Sequence, residues 1–150
     1  MKSQKAPLRV LLTDDDKGDR LVFKEIFDEM ETDTIVHMVN DGKQLMDFLK
    51  KEDNPLPHII FLDLNMPNMS GLECLKEIKS IEKYSDISIA IYSTSTSEKD
   101  IEETFRHGAN IYITKPGDYK ELKQVLTKAL SAARLNRDSA FDKTNFVLKM

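Results

Sequence analysis

The sequence predicts an α/β fold, a parallel sheet of five strands with helices on both of its faces. Short apolar runs alternate with longer stretches in which apolar residues recur at helical spacing. The run His58–Asp63 is almost continuously apolar until its final acid, as expected for a central strand covered on both faces. Alternation of strand and helix indicates right-handed crossovers, and therefore parallel strands.

Each predicted element follows from its own local pattern. The strands share short runs of apolar or β-branched residues that end at polar ones: Leu8–Leu12, Thr34–Val39, His58–Asp63, Ile87–Tyr92 and Ile111–Thr114. The helices carry apolar residues three or four positions apart: Asp19–Met30, a stretch around Leu45–Leu49, a stretch from Ser70 or Gly71 through Ile78, Ser97–His107 and Tyr119–Arg134. Gly108 fits the position that directly follows a helix.

Length and composition favour one domain without covalent cross-links. The chain has 150 residues, of which 40% are hydrophobic, enough for a core. Its net charge of −4 argues against a nucleic-acid or membrane-surface binder. The single cysteine, Cys74, excludes an internal disulfide, and His37, His58 and His107 lack metal-ligand spacing. No apolar run is long enough to span a bilayer and no signal peptide is evident, so we predict a cytoplasmic protein.

Polar side chains follow four of the five predicted strands. Asp14 and Asp15 follow the first strand, Asp63 ends the third, Ser93 follows the fourth, and Lys115 follows the fifth. In a parallel α/β sheet, ligands bind beyond the carboxyl ends of the strands, where the strand order reverses. Thr94 directly follows Ser93, so the sequence predicts that three carboxylates, two hydroxyls and an ammonium group gather at one edge of the sheet.

This set of groups indicates phosphoryl chemistry on a divalent metal. Two carboxylates about 4 Å apart repel by roughly 4 kcal/mol at an effective dielectric of about 20, so a cluster must take up protons or hold a cation. Oxygen ligands select Mg²⁺ or Mn²⁺ over zinc and copper. Asp63, on the central strand, is the candidate nucleophile, and Lys115 and Ser93 can donate to phosphoryl oxygens.

Taken singly, each of these residues has a simpler explanation. Acids after a strand usually form a solvated turn, and Asp63 alone could cap the next helix. Ser93 could cap a turn, and a lone Lys115 before a proline is usually a surface residue. Their joint occurrence at four strand ends favours the functional interpretation.

Four segments resemble the signature of the receiver domains of two-component response regulators. They are 11–16, 61–67, 93–95 and 114–116, and the similarity extends over about residues 8–134. The resemblance implies a flavodoxin-like (βα)5 fold with strand order 2-1-3-4-5. It also implies phosphotransfer to Asp63 from the phosphohistidine of a sensor histidine kinase or histidine phosphotransfer protein. Such a domain is a phospho-acceptor switch rather than an enzyme acting on a separate substrate.

The resemblance also assigns roles to individual residues. Asp14 and Asp15 match the acid pair that holds Mg²⁺ beside Asp63, and Asn65 matches a position that binds the metal through its backbone carbonyl. Lys115 matches the family's phosphoryl-binding lysine.

Three residues match the family's switch positions. Ser93 corresponds to the switch hydroxyl and Tyr112 to the switch aromatic, so we expect Ser93 to move toward the phosphoryl group and Tyr112 to rotate inward. The bond between Lys115 and Pro116 is usually cis in the family, whereas the sequence alone favours trans.

The expected partner surface comprises 97–107, 110–114 and 119–134. A downstream protein would bind there, and the chain would be a monomer or a phosphorylation-dependent dimer. Residues 1–135 form the predicted receiver domain, and 136–150 form a tail that is too short for an output domain. This tail could dock on the body, pair with a sheet edge or be disordered, and disorder is the favoured expectation.

Two other classes of protein share part of this pattern. Phosphatases of the haloacid-dehalogenase type need a second Asp two positions after the nucleophile, where this chain has Asn65. A phosphate-independent scaffold of the same fold would be expected to lack one of the site residues, and here the set is complete.

Overall fold

The sheet contains six parallel strands in the order β2-β1-β3-β4-β5-β6. The computed structural model describes residues 7–30, 33–138 and 147–148. The strands are β1 (Leu8–Thr13), β2 (Thr34–Val39), β3 (Ile59–Leu62), β4 (Ser88–Ser93), β5 (Ile111–Thr114) and β6 (Val147–Leu148). The helices are α1 (Lys17–Met30), α2 (Gly42–Lys50), α3 (Gly71–Ser80), α4 (Glu98–Arg106) and α5 (Tyr119–Asp138), with a short 3₁₀ turn at Glu82–Tyr84. The predicted flavodoxin-like (βα)5 fold with order 2-1-3-4-5 is confirmed.

Two helices begin where their side chains predict. Ser70 caps α3 by accepting from the backbone N–H of Glu73, whose carboxylate accepts in return from the N–H of Ser70. Ser97 caps α4, and Gly108, with φ of 98°, follows its end. Only a glycine adopts that backbone conformation at little cost, so the chain turns into β5 there.

Each face of the sheet has its own apolar core. On one face, Phe23, Phe61 and Tyr92 pack edge to face between the sheet and α1 and α5. On the other face, α2 and α3 cover the sheet with Leu45, Leu75 and their neighbours. Strand β3 is fully buried between the two cores, which fixes its carboxyl end in place. Among the described helices, none has the length and apolar character that a bilayer span requires.

The C-terminal region departs from the prediction. Helix α5 continues to Asp138, beyond the predicted end at Arg134, and β6 pairs in parallel with β5 through Tyr112 and Val147. The favoured expectation of disorder is therefore wrong for 136–138 and 147–148, and the alternative of pairing with a sheet edge is the one that 147–148 adopt. The rest of the tail lies outside the described residues. The physical reason is that β5 would otherwise be an edge strand with unpaired backbone groups, which an apolar segment can satisfy.

One buried hydroxyl leads to a stability prediction. The Oγ1 of Thr13, at the fully buried end of β1, has no hydrogen-bond partner within the described ranges. Because an unsatisfied buried hydroxyl costs about 1–3 kcal/mol, the nearly isosteric change Thr13→Val should stabilise the fold by about 1 kcal/mol. Urea unfolding would measure the gain. Thr127→Val is the control, because the hydroxyl of Thr127 donates to the carbonyl of Lys123. A loss of stability in Thr13→Val would contradict the prediction.

Candidate functional site

The register of the strands brings the predicted site residues together. Thr13 lies opposite Leu62 in the β1–β3 pair, so the residues that follow them, Asp14 and Asp63, leave neighbouring strands at the same level. The N–H of Asp63 donates to the carbonyl of Thr13 at 3.1 Å. The N–H of Lys115 donates to the carbonyl of Ser93 at 2.8 Å, which fixes the ends of β4 and β5 in the same way.

Three carboxylates form a compact cluster at this edge. One oxygen each from Asp14, Asp15 and Asp63 lie within 4.8 Å of one another. Asp14 is fully buried and Asp63 nearly so, whereas Asp15 is exposed. Close oxygen donors, one of them open to solvent, form a donor set that suits a hard cation which retains waters, as Mg²⁺ does.

Lys115 is the cation already built into this cluster. Its Nζ donates to Asp14 Oδ2 at 2.8 Å and to Asp19 Oδ2 at 2.8 Å, and it lies 3.6 Å from Asp63 Oδ2. The same ammonium lies 4.9 Å from the ring centroid of Tyr92. Burial alone lowers the pKa of Lys115, but the hydrogen bonds to Asp14 and Asp19 outweigh it and raise that pKa. Lys115 is therefore charged at neutral pH.

The environment of Asp63 suits a carboxylate that must react. Burial raises its pKa to about 6; Lys115 opposes that shift and the negative charge of Asp14 adds to it. The group remains mostly ionised at pH 7, but its charge is poorly solvated in the absence of a metal. A bound cation or an attached electrophile would relieve that cost.

The loop after Asp63 packs tightly against it. The N–H of Gly71 donates to the carbonyl of Leu64 at 2.9 Å, and a Cβ at Gly71 would lie only 2.1 Å from the carbonyl oxygen of Asp63. Asn68 adopts φ of 69°, a left-handed conformation that asparagine tolerates, and its amide donates to Asp41 Oδ2 at 3.0 Å. Asn65 lies beside Asp63, and its N–H donates to Asp63 Oδ1 at 3.4 Å.

Ser93 and Tyr112 meet at the loop that follows β4. Ser93 is fully buried, and its Oγ accepts from the N–H of Ser95 at 3.1 Å. Tyr112 is also fully buried and donates its hydroxyl to the carbonyl of Ser95 at 2.9 Å. Tyr112 thus already points inward, which differs from the expected rotation from an outside position. Ser95 is anchored in turn by its hydroxyl, which donates to Asp100 Oδ2 at 2.6 Å.

The expectation of a cis bond before Pro116 is not met. Within the described ranges there is no cis peptide bond, so Lys115 and Pro116 are joined in trans. Trans is the lower-energy form of most X–Pro bonds, as the sequence alone indicated.

Sequence reasoning missed two residues of the site. Asp19 bonds Lys115, and Arg20 donates to the backbone carbonyl of Asp14 at 2.7 Å. Both belong to the first turn of α1, and Asp19 lies four residues after Asp15, which precedes the helix. That spacing could have placed the Asp19 carboxylate near the same sheet edge, but it does not distinguish a site residue from an exposed acid at a helix start.

The comparisons with known proteins agree with this geometry. The family model described as the response regulator receiver domain matches residues 10–127. The chain belongs to the receiver-domain family. Response regulator Rcp1 of Synechocystis sp. is 34% identical over 77% of this chain and 82% of its own length. A chemotaxis protein CheY homolog of Campylobacter jejuni is 28% identical over 82% of this chain and 92% of its own length.

Solved structures of receiver domains superpose closely on this one. The crystal structure of the Mn²⁺-bound form of response regulator Rcp1 gives a TM-score of 0.77 at 31% identity, over 83% of this chain and 93% of that one. The structure of the phosphorylated cyanobacterial phytochrome response regulator RcpA also gives 0.77, at 32% identity, over 83% and 91%. Receiver domains are phospho-acceptor switches of two-component systems that bind Mg²⁺ or Mn²⁺ through clustered aspartates, and this chain is a response regulator of that kind.

Proposed function

We propose that Asp63 is the phosphoryl acceptor of this receiver domain and that Asp14, Asp15, Asp63 and the backbone carbonyl of Asn65 hold Mg²⁺. One observation carries the proposal. A nearly buried carboxylate with a raised pKa lies within 4.8 Å of two further carboxylates and 3.6 Å from a buried ammonium. A group of acids that served only the stability of the fold would not need two buried carboxylates, Asp14 and Asp63, beside the exposed carboxylate of Asp15.

The transfer itself follows from the positions of these groups. An oxygen of Asp63 forms a bond to phosphorus while the bond between phosphorus and the donor's nitrogen or oxygen breaks, and the donor leaves with that electron pair. Lys115 stabilises the negative charge on the phosphoryl oxygens. A bound Mg²⁺ would neutralise further charge there. The solved structures of the Mn²⁺-bound form of Rcp1 and of phosphorylated RcpA support both halves of this proposal.

The switch would work through Ser93. On phosphorylation its hydroxyl would donate to a phosphoryl oxygen, since its Oγ can accept from the N–H of Ser95 while the hydroxyl donates elsewhere. Movement of Ser93 toward Asp63 would pull on the Ser95 backbone, to which the Tyr112 hydroxyl is bonded. The loop before α4 and the buried aromatic of β5 would therefore be coupled through two hydrogen bonds, both made by the backbone of Ser95.

The downstream partner would bind the face formed by α4, β5 and α5. The ring of Phe105 on α4 is 54% exposed, which supplies an apolar contact of the kind that interfaces use. Because β6 lies against β5, this face also includes β6. The donor would be a sensor histidine kinase or a histidine phosphotransfer protein, and the protein would act in the cytoplasm.

Phosphorylation by a small donor tests the proposal directly. The full chain is incubated with acetyl phosphate or phosphoramidate, with Mg²⁺ or with EDTA, and analysed by intact mass. We expect one phosphate on the wild type with Mg²⁺ and none with EDTA, because the repelling carboxylates cannot otherwise accept an anion. Asp63→Asn should take up none, whereas the exposed-acid control Asp28→Asn should behave as wild type. Unmodified wild type under every condition would favour a phosphate-independent scaffold.

A further inference from the structure

Asp19 makes a contact with the site that the transfer reaction does not require. It belongs to the first turn of α1, and its side chain is 42% exposed at the rim of the acidic pocket. Its Oδ2 accepts from Lys115 Nζ at 2.8 Å, the same distance as the bond from Lys115 to Asp14. The acceptor Asp63 is farther from Lys115, at 3.6 Å.

The surroundings hold the Asp19 carboxylate toward the pocket. The N–H of Asp19 donates to Asp16 Oδ1 at 3.1 Å, which fixes the start of the helix. Lys115 lies over the ring of Tyr92, and its side chain is only 10% exposed. Few other positions are therefore sterically open to its ammonium group. The position of Nζ is therefore set by a competition among the carboxylates around it.

We propose that Asp19 is a positioning residue that tethers Lys115 away from Asp63 and thereby slows phosphorylation. The inference rests on the proposed function, since it assigns a role in the same transfer. To stabilise the phosphoryl group, the ammonium of Lys115 must donate to an oxygen of that group, on the Asp63 side, where it now lies 3.6 Å from Asp63 Oδ2. That approach stretches or breaks the 2.8 Å bond to Asp19, whereas Asp14, next to the acceptor, can keep its bond.

The tether also explains why the pocket contains a fourth acid. A carboxylate at the rim adds repulsion toward an anionic donor, which a site built only for rapid transfer would avoid. In the unphosphorylated state, however, Asp19 is a counter-ion for Lys115 and stabilises that state. The contact between them is weaker in the phosphorylated state, where Lys115 donates to the phosphoryl group. Asp19 thus biases the domain toward its resting form.

The rate of phosphorylation by acetyl phosphate at saturating Mg²⁺ tests this role. We expect Asp19→Asn to be phosphorylated about five-fold faster than wild type, because a neutral amide holds an ammonium less strongly than a carboxylate does. Asp19→Glu, which restores a carboxylate on a longer side chain, should return the rate toward the wild-type value. Asp28→Asn removes an acid from the same helix and should leave the rate unchanged.

A double-mutant cycle separates the tether from a general effect of charge. In the Lys115→Ala background, Asp19→Asn should no longer accelerate phosphorylation if it acts through Lys115. An acceleration that persists in that background would overturn the proposal in favour of simple electrostatic repulsion. A phosphorylation rate of Asp19→Asn equal to or below that of the wild type would overturn it as well. Absence of phosphate on every variant would instead refute the proposed function, and the tether with it.

Discussion

Gly71→Ala is expected to lower the free energy of unfolding by about 3 kcal/mol, and the melting temperature by about 10 °C. A Cβ at this buried position would lie 2.1 Å from the carbonyl oxygen of Asp63 and 2.8 Å from the Cα of Leu64. Both neighbours are backbone atoms at the end of a buried strand, so neither can move aside as a flexible side chain would. Thermal unfolding followed by circular dichroism would measure the effect.

The same collision should reach the chemistry. The atoms that must shift belong to Asp63 itself, so any folded Gly71→Ala protein should also be phosphorylated more slowly by acetyl phosphate. Gly117→Ala is the matched control, because a Cβ there meets no atom within 4 Å. Equal melting temperatures for Gly71→Ala and Gly117→Ala would show that the loop after Asp63 yields easily, contrary to the packing described here.

Asp63→Asn is expected to stabilise the metal-free protein, and to do so only at higher pH. In the folded state the pKa of Asp63 is raised from 3.8 to about 6, chiefly by burial. Between these values the folded protein keeps a proton that the unfolded chain has released, so stability falls as pH rises through this window. The asparagine carries no such charge. We expect a gain of about 2 kcal/mol at about pH 7.5 and almost none near pH 4.

Urea unfolding in EDTA at several pH values measures this difference. Asp47→Asn, which removes an exposed carboxylate, should show no comparable pH-dependent gain. Mg²⁺ should shrink the advantage of Asp63→Asn, because an ion that binds only the folded wild type stabilises it. A gain that is the same at both pH values would mean that the buried charge is not its source.

The sheet could be predicted from the sequence because several independent patterns agree on it. The β-branched run Thr34–Val39 and the run Ile111–Thr114 appear in the structure with the predicted bounds. Ser97 and Gly108 mark the two ends of α4 through capping and backbone conformation, which depend on local sequence alone. The convergence of Asp14, Asp63 and Lys115 also followed, since parallel strands end at the same edge.

What could not be predicted depends on distances across the fold. Asp19 reaches Lys115, which lies 96 residues further along the chain, and no local pattern records that pairing. The inward position of Tyr112 depends on a carbonyl in the loop after β4. The pairing of Val147 with Tyr112 joins a short apolar segment to a sheet edge that is distant in sequence. The intrinsic β-propensity of so short a segment is too weak to predict that pairing.

The sixth strand has a practical consequence for the design of truncated proteins. A version shortened to the family's matched region, which ends at 127, or to the end of α5 would leave Ile111–Thr114 at the sheet margin. Its first three residues are buried and apolar, and a bare hydrophobic margin recruits strands from other molecules. Self-association of such a fragment would therefore reflect the cut rather than signalling. Binding and scattering experiments should retain the chain through Leu148.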